Sequence, residues 1–175
     1  LACAVRDEWM GDDAALVVIP AARSPHKDAS PAATDADRVA MLRLAAERRG
    51  NVFVWTDEID RAGPSYTIDT LTRAREQCPE TIMRLLIGSD QAREFHRWKR
   101  PREIIELADP IVMLRPPDNH GHQLLKAMRE TGFWSDDELA KWSTRLETRT
   151  HNETSSTHVR DLLARNPESP ELDEL

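Results

Sequence analysis

TIMRLLIGSDQAREF, residues 81–95, decides the fold. An apolar run ends in Gly88, a hydroxyl and a carboxylate follow at Ser89 and Asp90, and a short helical pattern then opens. This is how a buried parallel strand runs into a helix. Three further runs read the same way: AALVVIP (14–20), NVFVW (51–55) and PIVMLRP (110–116). They are continuously apolar rather than alternating, as in a parallel sheet covered on both faces. Helical patterns alternate with them. Residues 1–10 read as a helix, Asp35 caps one carrying Val39, Leu42 and Ala46, and another spans 67–77. Pro101 suits the first turn of the next, residues 122–143 read as two helical pieces, and TSSTHVRDLLAR (154–165) as a capped helix. Residues 21–34 and 57–65 read as loops. The expected fold is α/β: a Rossmann-like, doubly wound parallel sheet with helices on both faces, in one domain over residues 1–175.

The bulk composition sets limits. The 175 residues are 39% hydrophobic and 31% charged, with net charge −7. An acidic chain is a poor match for a general nucleic-acid surface, so an anionic ligand needs local positive charge. No run approaches the roughly 20 apolar residues of a membrane span. Cys3 and Cys78 lie far apart without a CxxC spacing, which reads as reduced thiols and a cytoplasmic location. The chain opens at Leu1 within a helical pattern and stops at SPELDEL without a cap, so the natural protein is expected to be longer at both ends.

In such a sheet ligands gather at the carboxyl ends of strands, and the chemistry-bearing residues cluster there. Gly88 admits a close backbone or base approach, and Asp90 accepts from ribose hydroxyls or an amino group. Trp98, among Arg97, Lys99 and Arg100, offers an aromatic face in a basic setting. Gly63–Leu71, GPSYTIDTL, leads through Ser65, Tyr66 and Thr67 into a helix whose first N–H groups suit a carboxylate or amide oxygen. His26 and Lys27 follow a strand, and Lys27 suits a phosphate. In TSSTHVR, Ser155, Ser156 and Thr157 with Arg160 suit a phosphate cradle at a helix start. Each has a plainer reading as a cap, a turn or a solvated side chain. His120 and His122 in NHGH lack further ligands, so no metal site is expected. RWKRPR (97–102) is too short to outweigh the acidic balance as a nucleic-acid patch.

Taken in order, IPAARSPHK, GPSYTIDTL, LIGSDQAREFHRW, VMLRPP and TSSTHVR resemble the bacterial nicotinate-nucleotide adenylyltransferases of the nucleotidyltransferase superfamily, from about Leu1 to Leu163. The resemblance implies adenylyl transfer from ATP to nicotinate mononucleotide, with Mg²⁺, giving deamido-NAD and pyrophosphate in NAD biosynthesis. It implies that Gly88 and Asp90 receive adenosine and that Ser155, Ser156, Thr157 and Arg160 cradle the ATP phosphates. Tyr66 and Thr67 would meet the nicotinate carboxylate, Trp98 its ring, and His26 and Lys27 the mononucleotide phosphate. It also implies a starting strand and a G-G-x-F-D-P-x-H-x-G-H loop, whose histidines act on the ATP phosphates. No such segment stands in this chain, so no catalytic residue is identifiable in it. The piece is expected to lack the first strand of its sheet, to expose an apolar face and to be severely impaired, and the complete gene product to be active. Lys99 stands where some relatives carry an aromatic. The expected partners are ATP and nicotinate mononucleotide, with no nucleic acid and no membrane, and homo-oligomerisation is left open. Three rivals stand beside this reading: transfer to another phosphorylated acceptor, nucleotide binding without catalysis, and a structural α/β domain.

Overall fold

A computed structural model describes residues 1–22, 33–61, 63–115 and 120–147. Its elements alternate as the apolar runs require: α1 Ala2–Met10, β1 Leu16–Val18, α2 Asp35–Glu47, β2 Val52–Val54, α3 Asp57–Arg61, α4 Thr67–Gln77, β3 Arg84–Gly88, α5 Ser89–Arg93, a 3₁₀ turn Phe95–Arg97, α6 Pro101–Leu107, β4 Asp109–Met113, α7 Gly121–Glu130, α8 Asp136–Ser143 and β5 Leu146–Glu147. Every strand pairing is parallel, so the fold is α/β with parallel sheets flanked by helices.

Three local expectations change. Thr34 caps α2, its hydroxyl accepting from the Asp37 N–H, so Asp35 is the first helical residue and serves the dipole instead. Residues 57–61, expected as loop, form α3, whose carboxylates Asp57 and Glu58 are buried. β5 has only two residues and escaped notice because so short a strand has no periodicity. The sheet is also divided among the described residues: β1 pairs β2, while β3, β4 and β5 form a separate sheet. On the first pair Val17 and Phe53 face one another in register and are exposed, at 46% and 56%. The other pairing partners on these strands are half-buried, and α2 packs against β2.

The three-stranded sheet carries the core. Ile87 and Val112 are buried with Ile104, Leu124 and Met128. At its centre lies Phe95, fully buried, stacked on Trp98 at 4.7 Å between ring centroids and edge-on to Trp142 at 5.2 Å. At the amino ends of the strands Asp109 bridges Arg84 (3.1 Å) and Arg145 (2.7 Å). The Arg84 guanidinium lies over the Trp9 ring and that of Arg145 over Trp142. The charged joints thus hold one end of the sheet and leave the other end to the loops that follow the strands.

Phe95→Ala is expected to cost about 3–5 kcal/mol, because a large ring leaves a cavity among three other aromatics; urea unfolding measures this. A second test concerns acid. Glu138 accepts from Arg102 and from the Ser135 N–H in a capping box, and these bonds hold its pKa at about 2, below the ordinary 4.5. A depressed carboxyl stabilises the fold above its unfolded pKa and loses that contribution as pH falls through its folded one. The pair is solvent-accessible, so the stabilisation lost between about pH 4.5 and 2 is expected to stay under about 1 kcal/mol. Glu138→Gln should remove that part of the acid dependence in unfolding curves.

Candidate active site

Two groups of side chains assemble at the carboxyl ends of the strands. The first is built on β3 and β4. Their register sets Gly88 beside Met113, so the chain leaving each strand starts from neighbouring points. The buried Ser89 hydroxyl accepts from the Arg115 N–H and donates to the Arg115 carbonyl, both at 3.1 Å. This side chain continues the ladder where the strands end. With its backbone fixed, Arg115 folds its guanidinium back onto Asp90: Nε and Nη2 both donate to Oδ1, at 2.8 and 2.5 Å. Burial pushes the Asp90 carboxyl up, but bonds from Arg115 and Gln91 and the charge of Arg115 outweigh it, so its pKa lies below the ordinary carboxylate value.

Gly88 is tightly constrained. A Cβ there would stand 2.5 Å from Asp90 Oδ1 and 2.8 Å from Arg115 Nε. The space a side chain would take there is filled by the chain's own ion pair.

The second group surrounds the start of α4. Tyr66 is its N-cap by backbone only, with no side-chain cap bond, and Thr67 is the first helical residue. Lys99 reaches in from the turn after the 3₁₀ segment. Its ammonium lies 4.6 Å from the centre of the Tyr66 ring and 3.2 Å from Asp69 in the first turn. Arg100 holds that turn in a left-handed conformation (φ 57°), which costs a non-glycine residue about 1–2 kcal/mol. Arg100 also pairs with Glu103, and Pro101 starts α6 behind it. Trp98 is half-buried, with one face taken by Phe95. Ser65 Oγ accepts from the Ala22 N–H (3.0 Å) and Arg38 donates to the Ala21 carbonyl (2.7 Å), which fixes the exit of β1 near the start of α4.

Of the residues expected at the site, Gly88 and Asp90 stand together, and Lys99 brings the turn bearing Trp98 to Tyr66 and Thr67. His26, Lys27, Ser155, Ser156, Thr157 and Arg160 lie outside the described residues. Part of the GPSYTIDTL signal is packing: Ile68 and Leu71 enter the core, and the buried Thr70 hydroxyl donates to Glu58 (2.6 Å). Arg115, Ser89 and Asp69 were given no ligand role by the sequence. The one signal for Arg115 was its place two residues beyond a strand end. His120 and His122 stack on one another, and no group of three or more metal-ligating side chains occurs among the described residues. A cleft of about 410 Å³ between α2 and α3 contains none of the candidate residues.

The cytidylyltransferase-like family model matches residues 8–162. The chain belongs to that family. Its relatives narrow the branch. It is 34% identical over 150 residues to a probable nicotinate-nucleotide adenylyltransferase of Neisseria meningitidis serogroup C, covering 86% of this chain and 72% of that protein. A protein of the same name from Aquifex aeolicus is 40% identical over 57% of this chain and 59% of its own length. One from Acidithiobacillus ferrooxidans is 38% identical over 59% and 47%. The chain therefore sits in the nicotinate-nucleotide adenylyltransferase branch of the cytidylyltransferase-like family, and the matches span about half to three quarters of these relatives' lengths.

Gly88→Ala is expected to push the Asp90 and Arg115 side chains apart at little cost in stability, because both are flexible ends at the surface. Titration of the Asp90 carboxyl by NMR should then show its pKa rising back toward the ordinary value. An unmoved Asp90 would refute the packing described for Gly88.

Proposed function

We propose that the protein transfers the adenylyl group of ATP to nicotinate mononucleotide, giving deamido-NAD and pyrophosphate. The observation that carries the reading is the meeting of the Trp98 turn with the start of α4 through Lys99, alongside a carboxylate at the end of β3, in a chain of this family. Asp90 accepts from the ribose hydroxyls of ATP. The first N–H groups of α4 receive the nicotinate carboxylate, where the helix dipole favours an anion. The free face of Trp98 covers the pyridine ring. His26 and Lys27 are assigned to the mononucleotide phosphate, and Ser155, Ser156, Thr157 and Arg160 to the ATP phosphates, on the family resemblance alone.

The chemistry asks for alignment more than for a base. A phosphate oxygen of the mononucleotide, already ionised at neutral pH, attacks the α-phosphorus of ATP. A new P–O bond forms, and the bond to the bridging oxygen of pyrophosphate breaks. Holding both nucleotides in line supplies much of the acceleration, and cations and N–H groups offset the repulsion between the two anions. Mg²⁺ enters with ATP as part of that substrate and neutralises triphosphate charge. The described residues form no ligand cluster for a resident ion, and no step here depends on one.

The test is pyrophosphate release and dinucleotide formation by the full-length gene product with ATP and either the acid or the amide mononucleotide. Preference for the amide would move the assignment to another acceptor. A ligand-induced rise in melting temperature without pyrophosphate release would favour a binding protein, and no rise at all a structural domain. Trp98→Ala should raise KM for nicotinate mononucleotide about tenfold, as for an aromatic contact worth about 1.5 kcal/mol, with a smaller effect on ATP. Arg160→Ala should impair ATP use, and unchanged KM and kcat for ATP would remove that residue from the cradle.

A further inference from the structure

We propose that Arg115 is a positioning residue for Asp90, and that the guanidinium–carboxylate pair, rather than Asp90 alone, recognises the ribose of the nucleoside triphosphate. The inference rests on the reading that Asp90 meets the ATP ribose. Three observations support it. The Arg115 backbone is locked to the buried Ser89 through both its N–H and its carbonyl, so its side chain starts from a fixed point at the end of β4. Two of the three guanidinium nitrogens, Nε and Nη2, bond one oxygen of Asp90, Oδ1, and none of the bonds from Arg115 goes to Oδ2. The pair also lies on the α-carbon of Gly88, where no other residue type leaves room for it. Gln91 also bonds this carboxylate, through its side chain and its backbone N–H. Arg115 and Gln91 together restrict its rotation, and Arg115 takes none of the capacity of Oδ2, which suits it to a hydroxyl donor.

The pair is part of the surface, with side-chain exposures of 57% and 43%, and surface pairs add little stability. Its cost in backbone and side-chain order is therefore poorly explained by folding alone. The elements packed on α5 carry other charges: Arg84 on β3, Asp109 on β4, His96 and Arg97 on the 3₁₀ turn, and His122, Lys126, Arg129 and Glu130 on α7. Among the described residues, Arg115 is the one whose charge bears on Asp90.

The experiment uses the full-length gene product. ATP and 2′-deoxy-ATP are titrated calorimetrically into wild type, Arg115→Gln and Arg115→Lys from pH 4 to 8, with melting temperatures recorded. Wild type should prefer ATP. Arg115→Gln should bind ATP about tenfold more weakly, shrink the preference to under about threefold, and lose affinity at a higher pH as acid is added, since Asp90 then protonates sooner. A residue with only a structural role would not move that acid limb. Arg115→Lys should restore most of the acid limb and less of the preference, because a point charge does not reproduce the two directed guanidinium bonds. An unchanged preference and acid limb in a folded Arg115→Gln overturns the proposal, as does a wild type that binds both nucleotides equally. Adenylyl transfer measured in parallel judges the functional reading separately: ribose discrimination with no turnover would leave the Arg115 assignment standing and remove the enzyme.

Discussion

The parallel pairing of β3 and β4 is the constraint on which the rest depends. Five registered pairs, from Arg84 with Asp109 to Gly88 with Met113, fix both ends of the sheet at once. At the amino end the register puts Arg84 and Asp109 side by side, and Arg145 closes on the same carboxylate. At the other end it sets the chain after β4 against the first turn of α5, so that Ser89 can bind both backbone groups of Arg115. A slip of one residue would carry every side chain of the slipping strand to the opposite face and separate Asp90 from Arg115.

Much of this was legible in the sequence, for an identifiable reason. The apolar runs that become β1 to β4 have no alternation, so parallel pairing follows from their pattern, while burial on both faces holds for β4 and not for β1 and β2, where Val17 and Phe53 are exposed. Pro101 at a helix start and the two-piece pattern of 122–143 are likewise local signals. What escaped depended on distant partners. Asp57 and Glu58 look like surface charges, but Arg73 and Thr70 donate to them from another helix and so allow their burial. The cap of α2 was misread by one residue because Thr34 and Asp35 are both good caps, and only the bond to the Asp37 N–H separates them.

The candidate site divides in the same way. Gly88 and Asp90 stood out because a glycine and a carboxylate at a strand end are unusual. Arg115 stood out only by its place after a strand, since its partner is a carboxylate 25 residues earlier. The GPSYTIDTL stretch serves two purposes. Tyr66 and Thr67 open the helix, while Ile68, Thr70 and Leu71 anchor it, so a strong sequence signal there reports packing as much as chemistry.

Helix α1 bonds to both sheets. Arg6 donates to the carbonyls of Gly50 and Asn51 just before β2, while Trp9 donates to Glu147 on β5 and lies beneath Arg84 of β3. Among the described residues no strand pair joins the two sheets, so this one helix carries a mechanical link between them. Opening of α1 would therefore loosen one of the joints between the sheets and raise amide exchange in β1 and β2 first, while the bonds of α3 to α4 and of Ser65 to Ala22 remain.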